Sequence, residues 1–242
     1  MTETLFVSDI HLDEKRPTVV DLFNQFLLKR AIHADALYIL GDLFEYWIGD
    51  DAPYHGYQST FNALKKVSES NTLIYFLHGN RDFLIAEEFS QQTGIQLLDE
   101  EHVVNIYNQN ILLMHGDTLC IDDIAYQRFR RKAHNKWLQW IVLHLPISTR
   151  EALAQRLRDT STQATAEKHA DIMDVNQSAV EAAMQKNDTK ILIHGHTHRP
   201  AIHDFEIAST AYKRLVLGDW YTQGSVISMT SDGLNLESFS SI

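Results

Sequence analysis

A chain of 242 residues, with 44% apolar side chains and a formal charge of −11, is long enough for one large α/β domain with a substantial core. It is too acidic for a general nucleic-acid binder. The single cysteine, Cys120, excludes an intramolecular disulfide and a cysteine-based zinc site, as expected of a reducing compartment. No apolar run approaches the ~20 residues of a membrane span. The most apolar stretch, Trp137 to Pro146, is interrupted by Gln139 and His144. A strand-like run begins at Leu5, which leaves no room for a signal peptide. The expectation is a soluble or peripheral protein.

Taken in chain order, five apolar runs each end in metal-ligating residue types. Leu5 to Val7 leads to Ser8-Asp9-Ile10-His11, and Ala36 to Leu40 leads to Gly41-Asp42. Leu73 to Leu77 leads to His78-Gly79-Asn80-Arg81-Asp82, and Ile111 to Met114 leads to His115-Gly116-Asp117. Ile191 to Ile193 leads to His194-Gly195-His196-Thr197-His198. Helical periodicity over Val19 to Ile32, Ser59 to Val67 and Phe83 to Phe89 separates the early runs. Alternating strand and helix predicts an α/β layered fold with a mainly parallel central sheet, whose polar residues collect at the carboxyl ends of the strands.

Residues 126 to 185 lack strand signals and read as helical. From Tyr126 to Arg158 there are eight basic residues and one acidic residue, a local charge of +7. Trp137, Leu138, Trp140, Ile141, Val142, Leu143 and Leu145 are interleaved with them. A basic amphipathic segment of this kind suits a membrane surface or an anionic amphiphile; the plainer alternative is a solvated basic face over a core stripe. After the last histidine cluster, Lys213 to Leu217, Ser225 to Thr230 and Leu234 to Phe239 read as strands, with Ser231-Asp232-Gly233 as a hairpin signal. They are expected to form a second sheet that closes the sandwich.

The strand-end residues form a constellation: Asp9, His11, Asp42, Asn80, His115, His196 and His198. Asp9/His11 and His196/His198 are i, i+2 pairs, which share one side of an extended backbone. Seven side chains are too many for a single catalytic ion, which must keep an open position. With Asp42 bridging, they provide four contacts to each of two ions. Mixed carboxylate, imidazole and amide ligands suit Mn²⁺, Fe²⁺ or Zn²⁺. Two carboxylates against four positive charges leave a cationic site that attracts phosphate, and paired ions clamp a phosphoryl group for in-line attack.

The motifs Asp-x-His, Gly-Asp, Gly-Asn-x-Asp, His-Gly-Asp and Gly-His-x-His, in this order from Asp9 to His198, resemble those of the calcineurin-like metallophosphoesterases. The resemblance implies a layered αββα sandwich, two mixed sheets flanked by helices, as one domain over 1–242 with an inserted helical cap at about 124–185. Leu40 to Glu45, Trp47 to Asp50, His78 to Phe83, Met114 to Cys120, Ile172 to Gln177 and Ile193 to Pro200 further resemble the branch that acts in lipid A biosynthesis. That likeness implies hydrolysis of UDP-2,3-diacylglucosamine to UMP and 2,3-diacylglucosamine 1-phosphate, by attack of a bridging hydroxide on the alpha phosphorus.

The same resemblance implies two Mn²⁺ ions per chain and a peripheral position on the cytoplasmic face of the bacterial inner membrane. No nucleic acid and no obligate protein partner are expected. One ion falls to Asp9, His11, Asp42 and His198, and the other to Asp42, Asn80, His115 and His196. Arg81, Asn80 and His115 are the implied catalytic residues. The implied substrate contacts are Asn80, Arg81, Asp123, Tyr126, Arg158, Ser161, Thr165, Lys168 and His196, with Thr165 standing where an asparagine is usual. His78, His194 and Asp82 are expected behind the ligands. Arg81 suits a diphosphate, whose phosphate leaving group needs a fixed cation more than an acid; an ion pair to Asp82 is the plainer alternative. The other readings are a soluble nucleotide pyrophosphatase or phosphodiesterase on the same scaffold, which has no need of a basic, tryptophan-rich insertion, and a non-catalytic module without metals.

Overall fold

The computed structural model describes residues 3–167 and 174–240, without side chains over 161–167. The first half alternates strand and helix as the periodicity predicts: β1 (Thr4–Val7), α1 (Pro17–Lys29), β2 (Ala36–Ile39), α2 (Gln58–Ser68), β3 (Leu73–Phe76), α3 (Glu87–Thr93) and β4 (Gln96–Leu97). Strands β1 to β4 are parallel neighbours. The helix expected over Phe83 to Phe89 begins only at Glu87, because the carboxylate of Asp50 receives the N–H groups of Ala86 and Phe89 and sets the helix start there.

The second half continues with β5 (Glu101–Ile106), β6 (Gln109–Met114), α4 (Ile124–Ala133), α5 (Lys136–Leu143), α6 (Ile147–Glu167) and α7 (Gln177–Lys186). It ends with β7 (Ile191–His194), β8 (Ala201–Ile207), β9 (Thr210–Val216), β10 (Gly224–Thr230) and β11 (Gly233–Phe239). One sheet has the order β11-β10-β1-β2-β3-β4 and the other β5-β6-β7-β9-β8. The C-terminal strands therefore divide between the sheets. β9 lies beside β7 in the second sheet, whereas β10 pairs antiparallel with β1 and extends the first sheet together with β11. The expectation that all three close the sandwich as a second sheet is corrected accordingly. Hairpin patterning specifies who pairs with whom locally, but not which distant edge the hairpin joins.

The two-residue period of the strands explains the layering. Leu5, Val7, Leu37, Ile39, Ile74 and Phe76 face α1 and α2, while Phe6, Tyr38, Leu113, Ile193, Leu215 and Ile227 fill the space between the sheets. Leu112, Met114 and Leu192 point the other way, onto Val180 and Met184 of α7. The result is an αββα sandwich. In it α7 packs on the second sheet, while α4 and α5 bury no residue completely.

Two arginines fasten the inserted helices to this body. Arg150 of α6, only 3% exposed, reaches the Ile48 carbonyl at 2.6 Å and the Asp51 carboxylate at 2.7 Å. Arg130 of α4 holds Asp117 and Glu100.

Candidate metal centre

The loops after β1, β2, β3, β6 and β7 converge at one end of the sandwich and carry all seven expected ligands. Asp9, His11, Asp42, His196 and His198 have φ between 50° and 69°. This left-handed region costs a non-glycine residue about 1–3 kcal/mol, comparable to what one fully buried large apolar side chain contributes. Such strain persists only where the surroundings over-determine the backbone, and here they do. Asp9 and His11 donate their N–H groups to the carbonyls of Gly41 and Asp42 at 3.1 and 3.0 Å. The His196 N–H donates to Asp9 Oδ2 at 2.8 Å. A Cβ on Gly79 would lie 2.1 Å from Asp42 Oδ1, so only glycine lets the third loop approach the second.

Asp82 is the clamp between those two loops. Fully buried, it accepts the N–H groups of Gly79 at 2.9 Å and Leu43 at 2.7 Å, with Asp42 at 3.3 Å. Arg81 does not pair with it. Its side chain has no ion-pair partner among the described residues, and its Nε is buried without a hydrogen bond. The Arg81 backbone N–H donates to Asp42 Oδ1 at 2.8 Å, which leaves Asp42 Oδ2 for the centre.

Asp42 Oδ2 lies 3.7 Å from His11 Nε2 and 3.8 Å from His115 Nε2. On one side of it, Asp9 Oδ1, His11 Nε2 and His198 Nε2 draw together, with 3.2 Å between the two imidazole nitrogens and 3.2 Å from His198 to Asp9. On the other side, Asn80 Oδ1 is 3.0 Å from His115 Nε2 and 2.9 Å from His196 Nδ1. Asp9, His11 and His198, and likewise Asp9, Asp42 and His115, present ligand atoms within 4.8 Å of one another.

The donor chemistry fits divalent cations. Asp9 Oδ1 is buried with no hydrogen-bond partner among the described residues, while Oδ2 takes the His196 N–H. His115 donates Nδ1–H to the Leu40 carbonyl at 2.9 Å, so Nε2 faces Asn80 Oδ1 and needs a proton or a cation between them. His11 and His198 aim Nε2 at each other while their Nδ1 atoms face Glu45 and Asp219 at 3.5 and 3.4 Å. Carboxylates behind metal-binding imidazoles orient the ring and raise its basicity.

Without an ion the centre holds protons instead. Burial opposes protonation of His115, yet Asp42, Asp9 and Asp117 raise it to about 9. His198 is raised to about 10, where Asp9 and Asp219 outweigh burial. Burial pushes Asp42 up to about 7. Burial also opposes the charge on Asp9, but His198 and the other imidazoles hold its carboxyl well below the usual range.

These protons give stability a definite pH dependence. His115 and His198 stabilise the metal-free fold below their ordinary value of 6.5 and lose that contribution as pH rises through about 9 and about 10. Asp42 adds a fall in the same direction, from 3.8 to about 7. The melting temperature of the chelator-treated chain is therefore expected to fall across that alkaline window. Divalent-ion affinity should rise across it as the imidazolium protons are released. A flat melting profile in chelator would refute the assignment of these protons.

Of the expected substrate contacts, Arg81 and Asn80 stand at the centre. The Tyr126 ring lies 5.9 Å from His196 while its hydroxyl donates to Asp117 Oδ2 at 2.7 Å. Asp123 caps α4, accepting the Tyr126 N–H at 3.0 Å. Arg158 of α6 reaches the rim, 3.3 Å from both Asp13 and Glu45. The side chains of Ser161 and Thr165, and the whole of Lys168, lie outside the described residues. His78 points away and meets the Ile85 carbonyl at 2.8 Å.

Sequence reading missed Glu45, Asp219 and Tyr221, whose ring stacks on His11 at 5.4 Å. Gly218-Asp219 repeats the pattern of Gly41-Asp42 and Gly116-Asp117, a signal that could have found the second of these.

A sandwich of two mixed sheets with candidate carboxylate, amide and imidazole ligands on five loops fits a metal-dependent phosphoesterase. A family model of calcineurin-like phosphoesterases matches residues 3–200, and the chain belongs to that family. Within it, the chain is 49% identical over 236 residues to the UDP-2,3-diacylglucosamine hydrolase of Escherichia coli O7:K1 strain IAI39, covering 98% of both chains. It is 48% identical to the protein of the same name from Shigella sonnei strain Ss046, again over 98% of each. Among solved structures, an archaeal phosphodiesterase is similar with a TM-score of 0.48 and 13% identity, over 98% of this chain and 100% of that one.

Proposed function

We propose that this chain hydrolyses the diphosphate of UDP-2,3-diacylglucosamine to UMP and 2,3-diacylglucosamine 1-phosphate. The observation that carries the reading is Asp42 Oδ2, which stands between two sets of candidate ligand atoms beside Arg81, a guanidinium with no ion pair among the described residues. One set is Asp9, His11, Asp42 and His198, and the other is Asp42, Asn80, His115 and His196; we assign a Mn²⁺ ion to each. Two such ions supply positive charge at the phosphoryl oxygens and an activated water nucleophile.

The protein's own groups do the rest. Asp9 and Asp42 bring only two negative charges, so the loaded site attracts a diphosphate. The Arg81 guanidinium is placed to hold phosphate oxygens as a fork and to stabilise charge as it develops on the leaving phosphate. The Arg158 guanidinium at the rim can exchange its carboxylates for a substrate phosphate. Asp219 and Glu45 face the Nδ1 atoms of His198 and His11 at 3.4 and 3.5 Å, negative charge that favours rings turned toward the centre.

The inserted helices support the lipid-linked character of the substrate. We assign them, over about 124–185, to a cap on the single domain, with α7 packed against the body. Trp137 is 77% exposed and Trp140 56% exposed, on a helix set among cationic segments. An apolar surface of this kind on a charged protein suits acyl chains and an anionic membrane face. Among the described residues no helix is long and apolar enough to cross a membrane, and we place the protein peripherally on the inner face of the bacterial inner membrane.

Replacing Trp137 and Trp140 together by serine is expected to raise KM for the acylated substrate by roughly tenfold. That is the ~1.4 kcal/mol contributed by about 60 Å² of apolar burial. Turnover of a deacylated analogue should be unchanged, and equal loss on both substrates would sink the acyl-binding role.

The direct test incubates purified protein with UDP-2,3-diacylglucosamine, with Mn²⁺ or with chelator, and looks for UMP. UDP-N-acetylglucosamine runs alongside. Equal cleavage of both would favour a soluble nucleotide pyrophosphatase instead.

A further inference from the structure

The loop after β7 has to hold His196 and His198 in left-handed conformations at φ 69° and 55°. Its backbone contacts converge on Gly195. The Gly195 N–H donates to the His115 carbonyl at 2.9 Å, and the Gly195 carbonyl accepts the Thr197 N–H at 2.9 Å. A second donor reaches that carbonyl: His194 Nδ1, at 2.8 Å.

His194 is fully buried, and its ring fills the space opened by Gly116, where a Cβ would come within 2.7 Å of Nδ1. One imidazole thus braces two ligand loops, the one that carries His115 and the one that carries His196 and His198.

A carbonyl oxygen can only accept, so His194 Nδ1 must carry the proton. In the neutral ring Nε2 is then bare and acts as an acceptor. The donor facing it is Arg214 NH1, at 3.3 Å. Arg214 lies on β9, whose residue Val216 pairs with His194 on β7. Alternation puts Arg214 and Val216 on one face, with Leu192 and His194 opposite them.

Arg214 is 8% exposed, and its Nε is buried with no hydrogen-bond partner among the described residues. A buried cation so incompletely satisfied costs stability, so its position beside His194 calls for a purpose. Arginine is the side chain that remains a donor at every accessible pH.

We propose that Arg214 is a positioning residue for the metal centre. Its guanidinium holds His194 as the Nδ1–H tautomer, and that N–H pins the Gly195 carbonyl from which the His196 and His198 loop hangs. The inference rests on the reading of His196 and His198 as metal ligands. It makes the outer face of the second sheet, on the far side from the substrate, a determinant of ion affinity.

The first test needs no variant. Histidine ¹⁵N correlation spectra of the full chain, loaded with diamagnetic Zn²⁺, should show His194 protonated at Nδ1 and bare at Nε2; the opposite tautomer overturns the proposal. The second test titrates wild type, Arg214→Met and Arg214→Lys with Mn²⁺, reading the free ion by electron paramagnetic resonance.

Arg214→Met is expected to weaken Mn²⁺ binding about tenfold, the lower end of the effect of losing a direct partner of a ligand, because Arg214 acts through His194. Lysine, which can still donate to Nε2, should recover part of it. Wild-type affinity in Arg214→Met overturns the proposal, and so does a lysine variant as weak as the methionine one. A wild-type chain that takes up no divalent ion would instead overturn the metal reading, while the tautomer result would still report on the Arg214–His194 contact.

Discussion

Asp42→Asn is expected to lose ion binding and turnover together, while the metal-free chain remains at least as stable as wild type. Asparagine keeps the oxygen that receives the Arg81 N–H at 2.8 Å. It replaces the shared Oδ2, 3.7 and 3.8 Å from two imidazole nitrogens, with an amide donor that cannot bind a cation. Activity should fall by well over the ~10–100-fold that accompanies loss of an outer hydrogen-bond partner.

Stability should not fall with it. Asp42 is held among other buried carboxylates and imidazoles, and burial above all pushes its carboxyl up to about 7. Removing that charge relieves the metal-free fold near neutral pH, a conflict between stability and activity common at sites of this kind. Mn²⁺ titration, UMP release and thermal melts in chelator read the three quantities separately. Turnover within about tenfold of wild type would contradict the shared-oxygen assignment.

Arg81→Ala should separate chemistry from metal binding. The Arg81 side chain has no ion pair among the described residues, and the backbone N–H that meets Asp42 survives the substitution. Bound metal is therefore expected to stay at the wild-type level. kcat should drop by about 10²–10³-fold, the effect of removing one preorganised donor from a developing charge. Lysine should restore only part of the rate, because it supplies charge without the planar fork. Equal loss of metal and rate would make Arg81 structural rather than catalytic.

Much of the metal centre is legible in the amino-acid sequence. Five apolar runs ending in Asp9, His11, Asp42, Asn80, His115, His196 and His198 announce both the layered fold and the candidate ligands that the loops bring together. Strand ends at the carboxyl edge of a parallel sheet have little choice of where to point, and the order of the motifs carries the rest. The exposed tryptophans of α5 are likewise readable as a basic and aromatic insertion.

The places where pattern fails share a cause: each depends on which distant segments meet. The hairpin of β10 and β11 announces itself through Ser231-Asp232-Gly233, yet its union with β1 in the first sheet is settled by packing between edges more than two hundred residues apart in the chain. Asp50 moves the start of α3 to Glu87 by capping it from another loop.

Asp82 can be placed near the ligands from its motif, but its work as a clamp on the Asp42 loop emerges only when four backbone N–H groups are seen to converge on it. Glu45, Asp219 and Arg214 are ordinary charged residues in one dimension. Residue type and spacing determined which side chains could ligate. Only the tertiary structure decided which charges stand behind them, because a hydrogen bond to the far nitrogen of an imidazole is made across the fold and leaves no period in the sequence.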